Sequence, residues 1–245
     1  MKNIAIIFKR EIAAYISSPI VYIFIVFFLI LSGVFTFKLS GFFEIGQADL
    51  KSFFGWIPWL YLFLIPAISM RLWSEERKSG TIELLFTFPI KIYEAMAGKF
   101  LAAWAVITSA LLLTFTLPLT VEYLGKPDVG VMIAGYIGSI LLSGCYLAIG
   151  CFFSASTKNQ VISFIFTFVN CLILLLIGFE PFVKFFEGLH LPLWLLTQIS
   201  NFSFFTHFAN IQKGILDVRD IFFFVTFICV SIYCGALILE NRKAE

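Results

Sequence analysis

The chain has 245 residues, 60% of them hydrophobic and 13% charged, with a formal net charge of +2 and a mean hydropathy of +0.98. A soluble domain of this length would carry about twice that share of charged residues, so the composition excludes a water-soluble globular fold. No nucleic-acid partner is expected.

The first element, residues 2–17, puts Ile4, Ile7, Phe8, Ile12 and Tyr15 on one helical face, with Lys2, Lys9 and Arg10 mostly off it. This predicts an N-terminal amphipathic interface helix over residues 1–18, lying on the inner membrane surface with its cations toward lipid phosphates. A plain basic anchor explains the charges but not the stripe. The apolar run that follows is too long for a signal peptide and has no small-x-small cleavage site before Lys38, so it reads as a retained first span.

Six stretches, Ile20–Phe37, Gly55–Met70, Phe100–Val121, Val129–Thr157, Asn159–Phe179 and Ile221–Leu239, contain no Lys, Arg, Asp or Glu. A helix needs about 20 apolar residues to cross the hydrocarbon core, and lipid offers the backbone no water, so spans are helices or closed barrels. Runs that are apolar on both faces lack the alternation of barrel strands. The predicted fold is an all-α integral membrane domain over residues 1–245, with six transmembrane helices at about 19–38, 54–73, 100–122, 129–153, 159–180 and 220–240. Spans without acids or bases lack the usual carriers of ion coupling. Energy for uphill movement is then expected from outside the bilayer.

Between spans two and three, residues 71–99 carry Arg71, Glu75, Glu76, Arg77, Lys78, Glu83, Lys91, Glu94 and Lys99, which makes this the longest and most charged of the expected cytosolic pieces. Ser79-Gly80-Thr81 reads as a turn with an N-cap, and Glu83 follows in the first turn, where a carboxylate meets the positive helix end. Ile82, Leu84, Leu85 and Phe86 come next, and Pro89 closes the unit. Such a helix is too short to be stable alone. It packs either on a partner or on the inner ends of its own protein, and helix physics does not choose between them.

Span four carries small residues at four-residue spacing, Gly130, Ala134 and Gly138 on one row and Gly135, Ser139 and Ser143 on the next. Such rows serve internal packing or a dimer seam. In span five, Ser163, Thr167 and Asn170 line a path or, the favoured reading, make interhelical hydrogen bonds. Cys145, Cys151, Cys171, Cys229 and Cys234 sit within predicted spans without metal or redox spacing and read as small buried hydrophobes. His190 and His207 lie far apart in sequence, and no metal site is expected. Residues 181–219 are too polar around Pro192, Gln198, Asn201 and His207 for a seventh span. They predict a short outer helical hairpin between spans five and six, dipping into the outer leaflet or lying on it.

With the N-terminus inside, the inner segments hold eleven basic residues (Lys2, Lys9, Arg10, Arg71, Arg77, Lys78, Lys91, Lys99, Lys158, Arg242, Lys243) against six outside (Lys38, Lys51, Lys126, Lys184, Lys213, Arg219). Cytoplasmic loops are enriched in Lys and Arg, so both termini are expected in the cytoplasm.

The run Arg71–Pro89, R-L-W-S-E-E-R-K-S-G-T-I-E-L-L-F-T-F-P, resembles the signature of type-2 ABC export permeases. Phe8–Phe24, Phe53–Arg71 and Phe205–Asp220 are similar to other parts of the short members of that family, above all those associated with gliding motility and with nitrous-oxide-reductase maturation. The resemblance implies a six-span half-transporter in the bacterial inner membrane, paired with a second permease copy or paralogue. It also implies a separate soluble ABC ATPase subunit that binds ATP and Mg and drives export or extracytoplasmic assembly. By position, the family's coupling helix falls at Gly80–Phe88, with Gly80, Thr81, Glu83, Leu84, Leu85 and Phe86 meeting the ATPase and Glu75 and Glu76 forming salt bridges at the inner surface. No cofactor is expected in this chain. It holds no G-x-x-x-x-G-K-[ST] run, and Gly98-Lys99 and Gly125-Lys126 lack the rest of that motif.

No catalytic residue is expected either. An embedded enzyme would need clustered acids and bases, whereas Glu122, Asp128, Glu180, Asp217 and Asp220 are scattered with no base at motif spacing. A membrane scaffold or channel subunit without ATP coupling is the alternative, and it has no use for the Gly-Thr-x-Glu-Leu-Leu arrangement. Phe-rich, uncharged spans suit an amphiphile, lipid-linked molecule or apolar peptide better than an ion.

Overall fold

A computed structural model describes residues 2–46, 49–83, 90–179 and 200–241, together with 181, 182, 184 and 198. The described residues are helical, with no strand among them. In chain order the helices are α1 (Lys2–Ser17), α2 (Pro19–Val34, continued by a π-helical turn, Phe35–Leu39), α3 (Phe42–Ile45), α4 (Lys51–Ser69), α5 (Ser74–Ser79), α6 (Ile92–Leu112), α7 (Thr116–Leu124), α8 (Val129–Ser156), α9 (Gln160–Leu176), α10 (Phe204–Gln212) and α11 (Val218–Asn241).

Local chemistry sets several of these boundaries. Pro19 opens α2, where its missing N–H is no loss. Asp128, Asn159 and Ser203 cap α8, α9 and α10 by accepting backbone N–H bonds. Gly80 (φ +75°) ends α5 in the left-handed conformation that glycine tolerates.

Five helical segments, Pro19–Glu44, Lys51–Ser79, Ile92–Leu124, Val129–Ser156 and Val218–Asn241, are long and apolar enough to cross a membrane, whereas Gln160–Leu176 is shorter. Six spans were expected, and α9 is the one below that length. Span three begins eight residues earlier than the sequence reading placed it, so Lys91, Glu94 and Lys99 belong to helix entry rather than to a loop.

Side-chain pairings fix the directions of the helices. Phe28 stacks on Tyr61 and Phe35 on Trp56, so α2 is antiparallel to α4. Phe63 meets Phe168 and Trp59 meets Phe179, so α9 is antiparallel to α4 as well. Phe54 lies against Gly135 and Ser69 against Gly150, which sets α4 and α8 parallel and in step. Ile228 lies against Gly144, and Gly235 lies against Phe152, so α11 also runs parallel to α8. The indole Nε1 of Trp104 donates to the Ile140 carbonyl at 3.0 Å, and Thr114 Oγ1 lies 2.9 Å from the Tyr136 hydroxyl, which sets α6 antiparallel. Helices α2, α6 and α9 thus run one way, and α4, α8 and α11 the other. We call the end that holds α1 and Asn241 proximal and the other distal.

The centre of the bundle is α8. Its small-residue rows are used inside the chain: a Cβ on Gly135 would stand 2.4 Å from the Phe54 ring, on Gly150 2.0 Å from Ser69 Oγ, and on Gly138 2.8 Å from Ile211. Of the two uses open to those rows, internal packing is the one observed at these three positions. Helix α10 packs at the level of Gly138, nine residues or roughly 14 Å along α8 from its distal start. Residues 185–197 of the expected outer hairpin lie outside the described residues. Within α9, Thr167 Oγ1 donates to the Ser163 carbonyl and Asn170 Nδ2 to that of Phe166, while the buried Ser163 hydroxyl has no hydrogen-bond partner; none of the three bonds to another helix among the described residues. Cys145, Cys151 and Cys171 are buried, as read from sequence, but Cys229 is exposed. Around this core, Tyr22, Ile23, Phe27, Ile30 and Val34 of α2 and Phe222, Val225, Val230 and Tyr233 of α11 are exposed, an apolar exterior that suits lipid.

Gly135→Val is expected to destabilise the bundle by about 1–3 kcal/mol through overpacking. Gly33→Ala meets nothing within 4 Å and is expected to be neutral or stabilising, by about 1 kcal/mol at most. Thermal unfolding of the two variants in detergent checks the contrast.

Candidate functional site

The segment from Met70 to Glu83 leaves α4 at the proximal end and makes α5. Pro66 lies inside α4, and the chain beyond Ser69 tightens into three-residue turns, Arg71 N–H to Ile68 O and Leu72 N–H to Ser69 O. Ser154, near the end of α8, holds this turn. Its Oγ accepts the N–H groups of Trp73 (3.0 Å) and Ser74 (3.1 Å) and donates to the Met70 carbonyl (3.1 Å). The Ser74 hydroxyl donates to the same carbonyl. One buried hydroxyl thereby satisfies three backbone groups that a broken helix would leave unpaired. Trp73 is fully buried beneath, its Nε1 donating to Met96 Sδ at 3.0 Å. Arg77 Nη1 adds a 2.6 Å bond to the Ala155 carbonyl.

Lys99 lies at the centre of the proximal end and is only 4% exposed. Its ammonium is 2.7 Å from Glu76 Oε1 and 3.5 Å from Glu11 Oε1, and it donates to the Leu72 carbonyl at 3.2 Å. It also lies 5.1 Å from the centre of the Trp73 ring, a cation–π contact. An ammonium without such partners would lose several kcal/mol on burial. Here its three hydrogens meet two carboxylates and a carbonyl. Arg10 pairs with Glu11 from the outside at 2.6 Å. One cation thus ties α1, α5 and α6 together. Helix α1 lies on α6 through the same face: Ile7 is buried against Gly98, where a Cβ would stand 2.8 Å from it, and Asn3 Nδ2 donates to Glu94 Oε2 at 2.9 Å. The apolar stripe of α1 is therefore a packing face, and Glu11 belongs to it. On the same helix, burial and the neighbouring Glu11 push the Tyr15 phenol well above its usual range, so it stays neutral.

The expected site residues divide as follows. Glu76 is half-buried on Lys99, whereas Glu75 is exposed. Gly80 closes α5, and Glu83 N–H returns to its carbonyl at 3.2 Å. Thr81 Oγ1 contacts Ser79 Oγ at 2.9 Å and the Glu76 carbonyl at 3.4 Å, so its hydroxyl serves the end of α5. Thr81 and Glu83 are exposed, with Ile82 half-buried between them. Leu84, Leu85 and Phe86 lie outside the described residues.

Sequence reasoning missed Lys99 and Ser154. It also missed a pairing at the distal end, where His207 Nδ1 lies 2.5 Å from Asp220 Oδ1 and His207 Nε2 lies 2.8 Å from the Asn201 carbonyl. The sequence shows no base at motif spacing from the outer acids, and none is needed here: the fold brings His207, 13 residues away, beside Asp220, which is 4% exposed. A carbonyl only accepts, so Nε2 carries a hydrogen and the pair holds one further proton between Nδ1 and Oδ1. His207 also stacks on Phe223 at 4.0 Å. The pair joins α10 to α11. Asp128 and Asp217 serve helix starts. Among the described residues no group of three His, Cys, Asp or Glu is placed to hold a metal ion.

Alternating apolar helices around a close-packed centre, with charge confined to the two ends, define a multi-pass membrane protein. The family model of the ABC-2 family transporter proteins matches residues 5–240, and the chain belongs to that family of membrane transport subunits. No curated protein matches it.

Replacing Glu76 by Leu takes away the nearest carboxylate of the buried Lys99 ammonium, leaving Glu11 at 3.5 Å, and is expected to cost about 3 kcal/mol of stability. The Glu76→Leu/Lys99→Met pair is expected to recover a large part of that loss, with a coupling of about 1–3 kcal/mol. Additive losses in a double-mutant cycle read by thermal unfolding would refute the ion-pair account. Ser154→Ala leaves the Trp73 and Ser74 N–H groups unpaired, and a loss of about 1–3 kcal/mol is expected in the same assay.

Proposed function

We propose that the chain is the transmembrane permease subunit of an ABC exporter, coupling ATP hydrolysis by a separate soluble ATPase to export or to extracytoplasmic assembly. ATP and Mg bind the ATPase, and this chain pairs with a second copy or paralogue. It lies in the inner membrane of a bacterial cell, both termini cytoplasmic.

Family membership and the alternating directions of α2, α4, α6, α8, α9 and α11 support a six-span reading. On that reading α9 is the short fifth span. Its 17 residues rise roughly 25 Å, and a turn through Phe179 extends it. Among the described residues, the expected inner cations Arg10, Arg71, Arg77, Lys91, Lys99 and Lys158 belong to segments at the proximal end, the distribution that the positive-inside rule associates with a cytoplasmic face. Helix α1 then serves as the interface helix, and residues 80–88 form the coupling helix.

The observation that carries the reading is the anchored base of that segment. Helix α5 is bound to α8 through Ser154 and Arg77 and to α6 and α1 through Lys99, yet it ends at Gly80 and presents Thr81 and Glu83 to water. A push on residues 81–86 by a closing ATPase would pass into three helices at once. The states so biased differ by the contacts each makes with the partner. The small rows at the centre of α8 are occupied internally, so the second permease copy meets a different face.

A pull-down from solubilised membranes tests this. Wild type is expected to retain a soluble ATPase, and a Leu84→Asp/Leu85→Asp variant to lose it while remaining folded in the membrane. If folded wild type captures no ATPase, a scaffold or channel subunit without ATP coupling replaces the exporter.

A further inference from the structure

At the proximal end a cavity of about 300 Å³ opens between the end of α1, the first turn of α2, the last turn of α4 and α5. One wall is apolar, formed by Ile20, Val21, Ala67 and Ile68. The opposite wall is the Lys99 cluster, with Arg71 and Glu75 beside it. The charges are not equivalent. Glu76 is neutralised by Lys99, and Glu11 lies between Lys99 and Arg10. Arg71 and Glu75 are exposed, four residues apart, and form no ion pair with each other or with another described residue. The cavity therefore offers one anion-binding and one cation-binding group side by side on a wall already balanced in charge. It lies where the apolar part of α2 begins. From its mouth the exposed side chains of Ile20, Ile23, Phe27, Ile30 and Val34 run along one face of α2. They rise roughly 20 Å, more than one leaflet's share of the about 30 Å hydrocarbon core.

We infer that this cavity seats the headgroup of an amine-bearing zwitterionic phospholipid of the proximal leaflet, its phosphate on Arg71, its ammonium on Glu75 and an acyl chain along α2. Arg matches phosphate with a fork of N–H donors. Glu75 accepts N–H bonds from a primary ammonium, whereas a quaternary choline has none to give. An anionic glycerol headgroup would leave Glu75 unpartnered. The inference rests on the membrane embedding of the chain and not on its ATPase.

Native mass spectrometry of the full chain in detergent, with phosphatidylethanolamine, phosphatidylcholine and phosphatidylglycerol of identical acyl chains, tests it. Wild type is expected to retain phosphatidylethanolamine about tenfold over the other two, the scale of one charge-assisted hydrogen bond. Glu75→Gln is expected to abolish the preference over phosphatidylcholine, and Arg71→Gln to lower retention of all three. Both side chains are exposed and outside the Lys99 ion pairs, so the variants are expected to fold, and gel filtration checks this. Ala67→Phe fills the apolar wall without touching charge and is expected to lower retention of all three. Equal retention of phosphatidylethanolamine and phosphatidylcholine by wild type, or a preference that survives Glu75→Gln, would overturn the inference. Displacement of the lipid by soluble phosphoethanolamine would assign the cavity to a free zwitterion and overturn the lipid seat. No ATPase enters this readout, so its failure is distinct from failure of the pull-down.

Discussion

Lipid tails are as apolar as the helices they surround, so the hydrophobic effect gives one span little reason to prefer another. The approach of backbones along α8 takes its place. Gly135 admits the Phe54 ring, Gly138 admits Ile211, Gly144 admits Ile228 beside Trp104, and Gly150 admits Ser69. Four helices, α4, α6, α10 and α11, thereby reach the same axis from different sides, and dispersion over many close contacts does what exclusion of water does in a soluble core. Both polar sites depend on this arrangement. The last turns of α8 supply Ser154 and the Ala155 carbonyl to α5. Its distal half supports α10, which carries His207.

The proximal end then solves a different problem, the burial of one charge. Lys99 stands where α6 enters the packed region and is only 4% exposed. A compact ammonium with three donors suits this place better than a planar guanidinium, because its partners arrive from three directions, α1, α5 and the turn before α5. The site orders those three segments as much as they stabilise it, since moving any one of them away takes a hydrogen-bond or ion-pair partner from a buried ammonium.

How much of this was legible in the sequence depended on whether the signal was periodic or spatial. The spans announce themselves through uninterrupted apolar runs. The stripe Ile4, Ile7, Phe8, Ile12 and Tyr15 marks the face on which α1 packs. That stripe does not say whether it meets lipid or protein, because both are apolar, and Glu11 within it was the unread clue. The small residues of α8 promised close approach, but a seam inside one chain and a seam between two copies write the same pattern. Lys99 was counted with the loop charges because it adjoins an apolar run, and burial is a property of the neighbours, which lie 23 and 88 residues away in the chain. His207 and Asp220 stand 13 residues apart across a turn, a spacing that belongs to no motif. Leu84 and Leu85, central to the family resemblance, lie outside the described residues.

The two anchors of α5 respond differently to displacement. The Ser154 bonds are directional, and hydrogen bonds weaken steeply once stretched or bent. The attraction between Glu76 and Lys99 falls only as the inverse of distance, and the low dielectric around a buried ion prolongs its reach. A shift of α5 by an ångström or two away from α8 therefore gives up the Ser154 anchor while keeping much of the Lys99 one. Lys99 is then the pivot and Ser154 the latch. Trp73, buried between them and hydrogen-bonded to Met96 on α6, moves with the pivot side. Force applied beyond Gly80 would thus open the α5–α8 contact first and hand the load to α6 and α1, the helices that contribute Lys99 and Glu11 to the cavity wall.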